Sequence, residues 1–168
     1  RYIMFASRSH TSDVMNSAYW INIGEWEVYG EALPAEIVDF GECSETISWE
    51  LNEFGTLYIS GTGCIPDWEY LQTPWKDYFN TATAVIIDEG ITEIGNYSFA
   101  QFATLRSAKI PAGITRIGNN AFSACDALSV VRLPGTVKEL GTNAFAHCSK
   151  LREIIIPATA PMADTTTE

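Results

Sequence analysis

Two histidines, four cysteines, a closely spaced pair of glutamates and a dense run of aromatic rings are the residues of this chain equipped to do chemistry. An enzyme needs a nucleophile, a base and an orienting group, or a metal. His10 lies in the polar start "SRSHTSD", and His147 is a sequence neighbour of Cys148, which does not make it face the thiol. Cys43, Cys64, Cys125 and Cys148 contain no CxxC pair, which argues against a zinc site. No GxSxG, HExxH or phosphate loop occurs, and Gly61-Thr62-Gly63 lacks the third glycine and the strand-to-helix context. The residues therefore point to no catalytic set, no cofactor and no metal. In "WINIGEWEV" the alternation puts Glu25 and Glu27 on one strand face and Trp26 on the other. Two carboxylates so placed serve acid/base chemistry or calcium, but a solvated acidic face is commoner and no third ligand stands near.

The aromatic run is "DWEYLQTPWKDYF", with Trp68, Tyr70, Trp75, Tyr78 and Phe79. Rings at this density suit a sugar platform, because apolar ring faces stack on aromatic ones. They equally suit the sealing of an open end of a repeat array, the commoner use. Both readings stand at this point, the first naming Trp68, Tyr70, Trp75 and Tyr78 as a glycan site.

The formal net charge is −11, and its distribution is uneven. Residues 1–90 hold three bases against fifteen acids, a balance of −12; residues 91–168 hold seven against six, a balance of +1. Such a field repels nucleic acid and anionic lipid, so neither is expected as a partner. Apolar runs such as Ile154-Ile155-Ile156 fall far short of the roughly 20 residues of a membrane span, and no insertion is expected. The opening "RYIMFAS" has no signal-peptide pattern and reads as a mature or excised start.

The elements that position these residues come from a period of 23. Ile94-Gly95, Ile117-Gly118 and Leu140-Gly141 fall in register; so do Phe99, Phe122 and Phe145; Leu105, Leu128 and Leu151; and Ile110-Pro111, Leu133-Pro134 and Ile156-Pro157. Four columns through three copies are the signature of a solenoid. Ala108/Ile110, Val131/Leu133 and Ile154/Ile156 alternate and should face inward from a short strand that proline ends, with Val85 and Ile87 from a weaker earlier copy. Between strands, Gly95 and its equivalents permit an unusual backbone angle and Asn96, Asn119 and Asn120 tolerate one, so a sharp turn and a helical turn are expected there. Cys125 and Cys148 occupy a column that carries Phe102 in the first copy, which reads as a packing position with buried, reduced thiols. A disulfide between them would require adjacent copies to bring them together. Residues 47–60 read as a hairpin, with Ile47, Trp49 and Leu51 alternating out and Leu57 and Ile59 alternating back; Cys43 and Cys64 flank it, where an oxidising compartment would allow a clasp.

The segments "LRSAKIPAGITRIGNNAFSAC" and "LSVVRLPGTVKELGTNAFAHC" resemble the BspA-like leucine-rich repeat family, and "ISWELNEFGTLYISGTG" followed by "DW" and "PW" is similar to the strand-rich cap common in it. The resemblance covers roughly residues 43–160. It implies a mainly β fold with short helical turns: a right-handed leucine-rich repeat solenoid behind an N-terminal cap. It also implies a non-catalytic adhesion or protein-binding module, secreted or on a bacterial surface, with an extracellular or host protein as partner and a glycan as the alternative. Departures are Phe102 for Cys, Asp88 for Pro, and a last copy, "ATAPMADTTTE", that stops before its own Phe, as if further repeats or a cap followed. The expected organisation is a segment 1–40 matching no repeat, a cap 41–82, and a solenoid 83–168.

In parallel stacked strands, residues one period apart are neighbours. One outward row is then Ile86, Lys109, Arg132 and Ile155, and the next is Ala84, Ser107, Val130 and Glu153. Glu93, Arg116 and Glu139 form an alternating ladder on the second strand. Solvated faces explain most such rows. The Lys109/Arg132 row is nonetheless the expected partner surface, with Glu153 beside it, because like charges placed side by side cost energy and two isoleucines flank them.

Overall fold

The computed structural model describes residues 35–157. The readings made on His10, on Glu25 to Glu27 and on a copy beginning at Ala158 lie outside them.

The chain opens with β1 (Ile37–Ser44), β2 (Ile47–Asn52) and β3 (Thr56–Gly61), an antiparallel meander. The expected hairpin is β2–β3, with Trp49 opposite Ile59 and Leu51 opposite Leu57. Its turn is closed by Asn52, whose Oδ1 accepts from the amides of Phe54 (3.1 Å) and Thr56 (2.9 Å), while Gly55 takes φ 75°. This is the service Asn and Gly give a tight turn. β1 crosses the boundary expected between residues 40 and 41.

From β3 onward the pairing turns parallel. β5 (Ala84–Ile87) lies beside β3, and β7 (Ser107–Lys109) beside β5, giving a sheet ordered β1-β2-β3-β5-β7. β9 (Val130–Arg132) pairs with β11 (Glu153–Ile155). A second sheet holds β4 (Gly63–Cys64), β6 (Ile91–Ile94), β8 (Arg116–Ile117) and β10 (Glu139–Leu140), in the order β10-β8-β6-β4. Partners in β5–β7, β6–β8, β8–β10 and β9–β11 are 23 residues apart, as in Val85 with Ala108 and Val131 with Ile154. The alternation read from the sequence thus becomes burial: Val85, Ile87, Ile110, Val131 and Leu133 are in the core with Leu105 and Leu128.

The segments between the two sheets are not helical. Among the described residues the only helix is a 3-10 turn, Lys76–Tyr78. Where a helical turn was expected, residues of left-handed backbone recur: Tyr97, Asn120 and Asn143 (φ 53–58°), then Gln101, Ala124 and His147 (φ 59–68°). Left-handed residues four positions apart cannot sit in a right-handed helix. They aim alternate amides at the following copy instead: Tyr97, Phe99 and Gln101 donate to Asn119, Ala121 and Ser123 at 2.7–3.0 Å, and Asn120, Phe122 and Ala124 to Thr142, Ala144 and Ala146 at 2.8–3.0 Å.

Asn96 and Asn119, expected to take the unusual angle, act through their side chains. Asn96 Oδ1 accepts from the Asn119 amide and Asn119 Oδ1 from the Thr142 amide, both at 2.7 Å. Asp67 begins the series, accepting from the Asn96 amide at 2.8 Å. Nor does Gly95, Gly118 or Gly141 have positive φ. Each is glycine because the preceding copy's backbone is too close for a Cβ; at Gly118 that atom would lie 2.6 Å from the Asn96 amide nitrogen.

Rings stack along the same direction: Trp75 on Phe99 at 5.6 Å, Phe99 on Phe122 at 5.1 Å, Phe122 on Phe145 at 5.3 Å. Burial falls off at the last copy. Ile154 and Ile156, expected to face inward, are 39% and 64% exposed, and Leu140 is 50% exposed, because no described residue packs beyond them.

Replacing Gly118 by Ala forces two backbones apart and is expected to cost about 1–3 kcal/mol in urea unfolding. Phe122→Ala, losing ring contacts on both sides, should cost about 3–5 kcal/mol. Phe145→Ala, at a half-buried ring, should cost clearly less.

Candidate functional site

With alternate strand residues committed to the core, the others point away from it. Ile86 stands beside Lys109 in the β5–β7 pair, Arg132 beside Ile155 in β9–β11, Ala84 beside Ser107, and Val130 beside Glu153. Lys109, Arg132 and Glu153 are exposed, and Ile86 and Ile155 are half-buried. The structure therefore places all five residues of the expected partner surface on the outward side of their strands.

The charges on this face are not neutralised locally. Among the described residues every salt bridge converges on Arg116, which meets Asp67 at 3.4 Å, Glu93 at 3.5 Å and Glu139 at 3.7 Å. Partial burial pulls the Arg116 guanidinium down, but the hydrogen bond and charge of Asp67, with Glu139 and Glu93, outweigh it, and the net direction is up. The Glu93–Arg116–Glu139 ladder was visible in the sequence; Asp67, forty-nine residues from Arg116, was not.

The aromatic run divides. Trp75 is fully buried, donates from Nε1 to the Ser98 carbonyl at 2.8 Å, and meets Trp49 edge-on at 6.3 Å. Tyr78 is half-buried against Trp49, its hydroxyl donating to Asp39; that bond, then burial and nearby acids, push the phenol up. Phe79 packs on the core as well. Tyr70 is 51% exposed and edge-on to Tyr97, and the half-buried Trp68 keeps its Nε1 covered and without a hydrogen bond. The four rings named for a sugar thus share no open face, since Trp75 shows none to solvent.

All four thiols are free, so Cys43 and Cys64 form no clasp. Cys125 is buried and donates to the Phe99 carbonyl at 3.2 Å; Cys148, half-buried, donates to that of Phe122 at 3.1 Å. The two thiols also interact with each other, which raises Cys125 together with its burial and lowers Cys148 against its own burial. Burial pushes Cys43 up to about 11. His147 is exposed and has left-handed backbone, as its column requires.

Parallel strands one period apart, glycines at close approach and a continuous ring column define a mainly strand repeat protein. The model of the BspA type leucine-rich repeat region matches six copies over residues 77–165. The chain belongs to that family. Among solved structures it is similar to a leucine-rich repeat protein from Eubacterium ventriosum, at 23% identity and TM-score 0.57, over 69% of this chain and 39% of that one. It also matches a leucine rich cell surface protein from Faecalibacterium prausnitzii (19%, TM-score 0.46; 70% and 39%) and a leucine-rich repeat protein from Bacteroides capillosus (17%, TM-score 0.48; 72% and 98%). The chain spans about two fifths of the length of the first two. No curated protein sequence matches it. Among the described residues no helix is long and apolar enough to cross a membrane.

The thiol environments give an order of reaction. With iodoacetamide near neutral pH, native protein should be labelled first at exposed Cys64 and at Cys148, later at Cys43, and not at Cys125, as peptide mass spectrometry will read. Early labelling of Cys125 would contradict its burial.

Proposed function

We propose that this chain is a non-catalytic binding module of a secreted or cell-surface bacterial protein. In this reading its 23-residue repeats continue as a right-handed solenoid behind the strand-rich cap, and its partner is an extracellular or host protein. The observation that carries it is the outward row Ile86, Lys109, Arg132 and Ile155. Two exposed cations stand without an ion pair among the described residues, flanked by half-buried isoleucines, on a rigid strand face. Stability does not account for such a row, because the residues paired with the two cations are isoleucines and no acid stands there to neutralise them. A protein partner that presents carboxylates around an apolar contact would neutralise the cations and cover the isoleucines, the pattern of an interface centre with a polar rim. Membership of the BspA-type family supports the surface setting and the role of scaffold rather than catalyst.

The test is a binding screen against immobilised extracellular matrix proteins at two salt concentrations, followed by Lys109→Glu/Arg132→Glu. Salt-sensitive binding that falls at least tenfold in the double variant, with an unchanged urea midpoint, is the expected result. Undiminished binding would move the site off this face.

A further inference from the structure

A second feature lies at the margin of the same strands, where two columns of residues line a groove of about 540 Å3. One column is Thr81, Thr104, Ala127 and Lys150, and the next is Thr83, Arg106, Ser129 and Arg152, each stepping by one period. All of these but Arg152 line the groove, together with Asn80 and Ala103. Ala103, Thr104 and Ala127 are half-buried and form the floor; Arg106, Ser129 and Lys150 are exposed on the walls. No acid lines it, although the chain as a whole carries −11. Asp126, beside the floor, accepts from the Ser149 amide at 3.4 Å. Neither Arg106 nor Lys150 takes part in a salt bridge among the described residues.

The three threonine hydroxyls of the groove have a shared polarity. Thr81 donates to the Tyr78 carbonyl, Thr83 to Phe54 and Thr104 to Ala82, at 3.3, 3.2 and 2.8 Å. With their protons directed to the backbone, they offer lone pairs and accept. A fitting ligand must therefore be anionic toward Arg106 and Lys150 and a hydrogen-bond donor along its length.

We propose that this groove binds an anionic glycan, a chain of sugars bearing carboxylate or sulfate groups. Sugar hydroxyls supply the donors and the acid groups meet the cations. The polarity of the hydroxyls favours a glycan over an acidic peptide: a peptide brings a carbonyl acceptor with every amide, which threonines already donating to the backbone cannot serve, whereas a sugar hydroxyl can turn to donate. The acidic first half does not forbid the ligand, because at physiological salt charges beyond about 8 Å are screened. This site shares no residue with the Lys109/Arg132 row and stands or falls independently of it.

The experiment measures binding of the full chain to four immobilised probes: heparin for sulfate, polygalacturonate for carboxylate, dextran as neutral sugar and polyglutamate as acidic peptide. Two variants accompany it: Arg106→Ser/Lys150→Ser, which removes the cations, and Ala127→Trp, which fills the floor and leaves every charge in place. Binding to heparin or polygalacturonate, silence on dextran, weaker binding to polyglutamate, and at least a tenfold loss in both variants is the expected outcome; which polyanion binds names the acid group. Urea midpoints check that both variants fold. Failure of the wild-type chain to bind either polysaccharide would overturn the proposal. Equal or tighter binding to polyglutamate would overturn it in favour of a peptide, and full binding by a folded Ala127→Trp would replace the groove with diffuse charge attraction.

Discussion

Alternate amides of each turn segment donate into the next copy, and most of the remaining structure follows from that arrangement. To aim three amides in one direction the backbone must alternate in hand, so two residues per copy adopt left-handed φ, among them tyrosine, glutamine, alanine and histidine. Such a residue costs about 1–2 kcal/mol outside glycine, a cost the copy bears because an amide buried without a partner costs a similar amount. The bonds hold neighbouring backbones close, which is why a Cβ at position 118 meets the Asn96 amide and why the column is glycine. At that separation the ring inside each turn segment lies on the ring of the copy before it.

The cap obeys the same constraint with different residues. β3 and β4 take the places of a first and a second strand, Asp67 the place of the asparagine, and Trp75 the place of the phenylalanine. A carboxylate serves as well as a carboxamide there, since only an acceptor for the Asn96 amide is required. It also adds a charge that the carboxamide lacks, and Arg116 uses it. The indole is larger than phenylalanine, and its buried N–H is satisfied by the Ser98 carbonyl. The antiparallel partner β2 then covers the far edge of β3 and brings Trp49 against Trp75. The array therefore begins on a paired strand rather than on an open edge of unbonded amides.

What could be read from the sequence is what repeats at a constant interval. The strands, their inward residues, the ring column, the hairpin and the Glu93–Arg116–Glu139 ladder were all legible, because each depends on a period of two or of 23. The cap's equivalents were hidden by broken spacing: Asp67 precedes Asn96 by 29 residues and Trp75 precedes Phe99 by 24. Without the shared period, Trp75 looked like part of a sugar platform. Asn120 takes the left-handed angle expected of it, whereas Asn96, Asn119 and the glycine column serve otherwise, because composition tells which residues tolerate such an angle and not which are asked to adopt one. Ile154 and Ile156 failed for another reason: alternation sets the side of the strand, and burial depends on what lies above it.

Arg116 and the Lys109/Arg132 row separate two uses of charge in one framework. Where a cation serves the fold, neighbouring copies and the cap surround it with carboxylates, three within 3.4–3.7 Å. The adjacent outward row has the same opportunity, since any acid one period away from Lys109 or Arg132 would lie beside it. The paired neighbours are instead Ile86 for Lys109 and Ile155 for Arg132. A stacked-strand framework restricts its inward columns severely and its outward rows hardly at all, so outward residues are free to be shaped by what they contact outside the chain. Unneutralised cations beside apolar residues are what that freedom leaves when the complementary acids belong to another molecule.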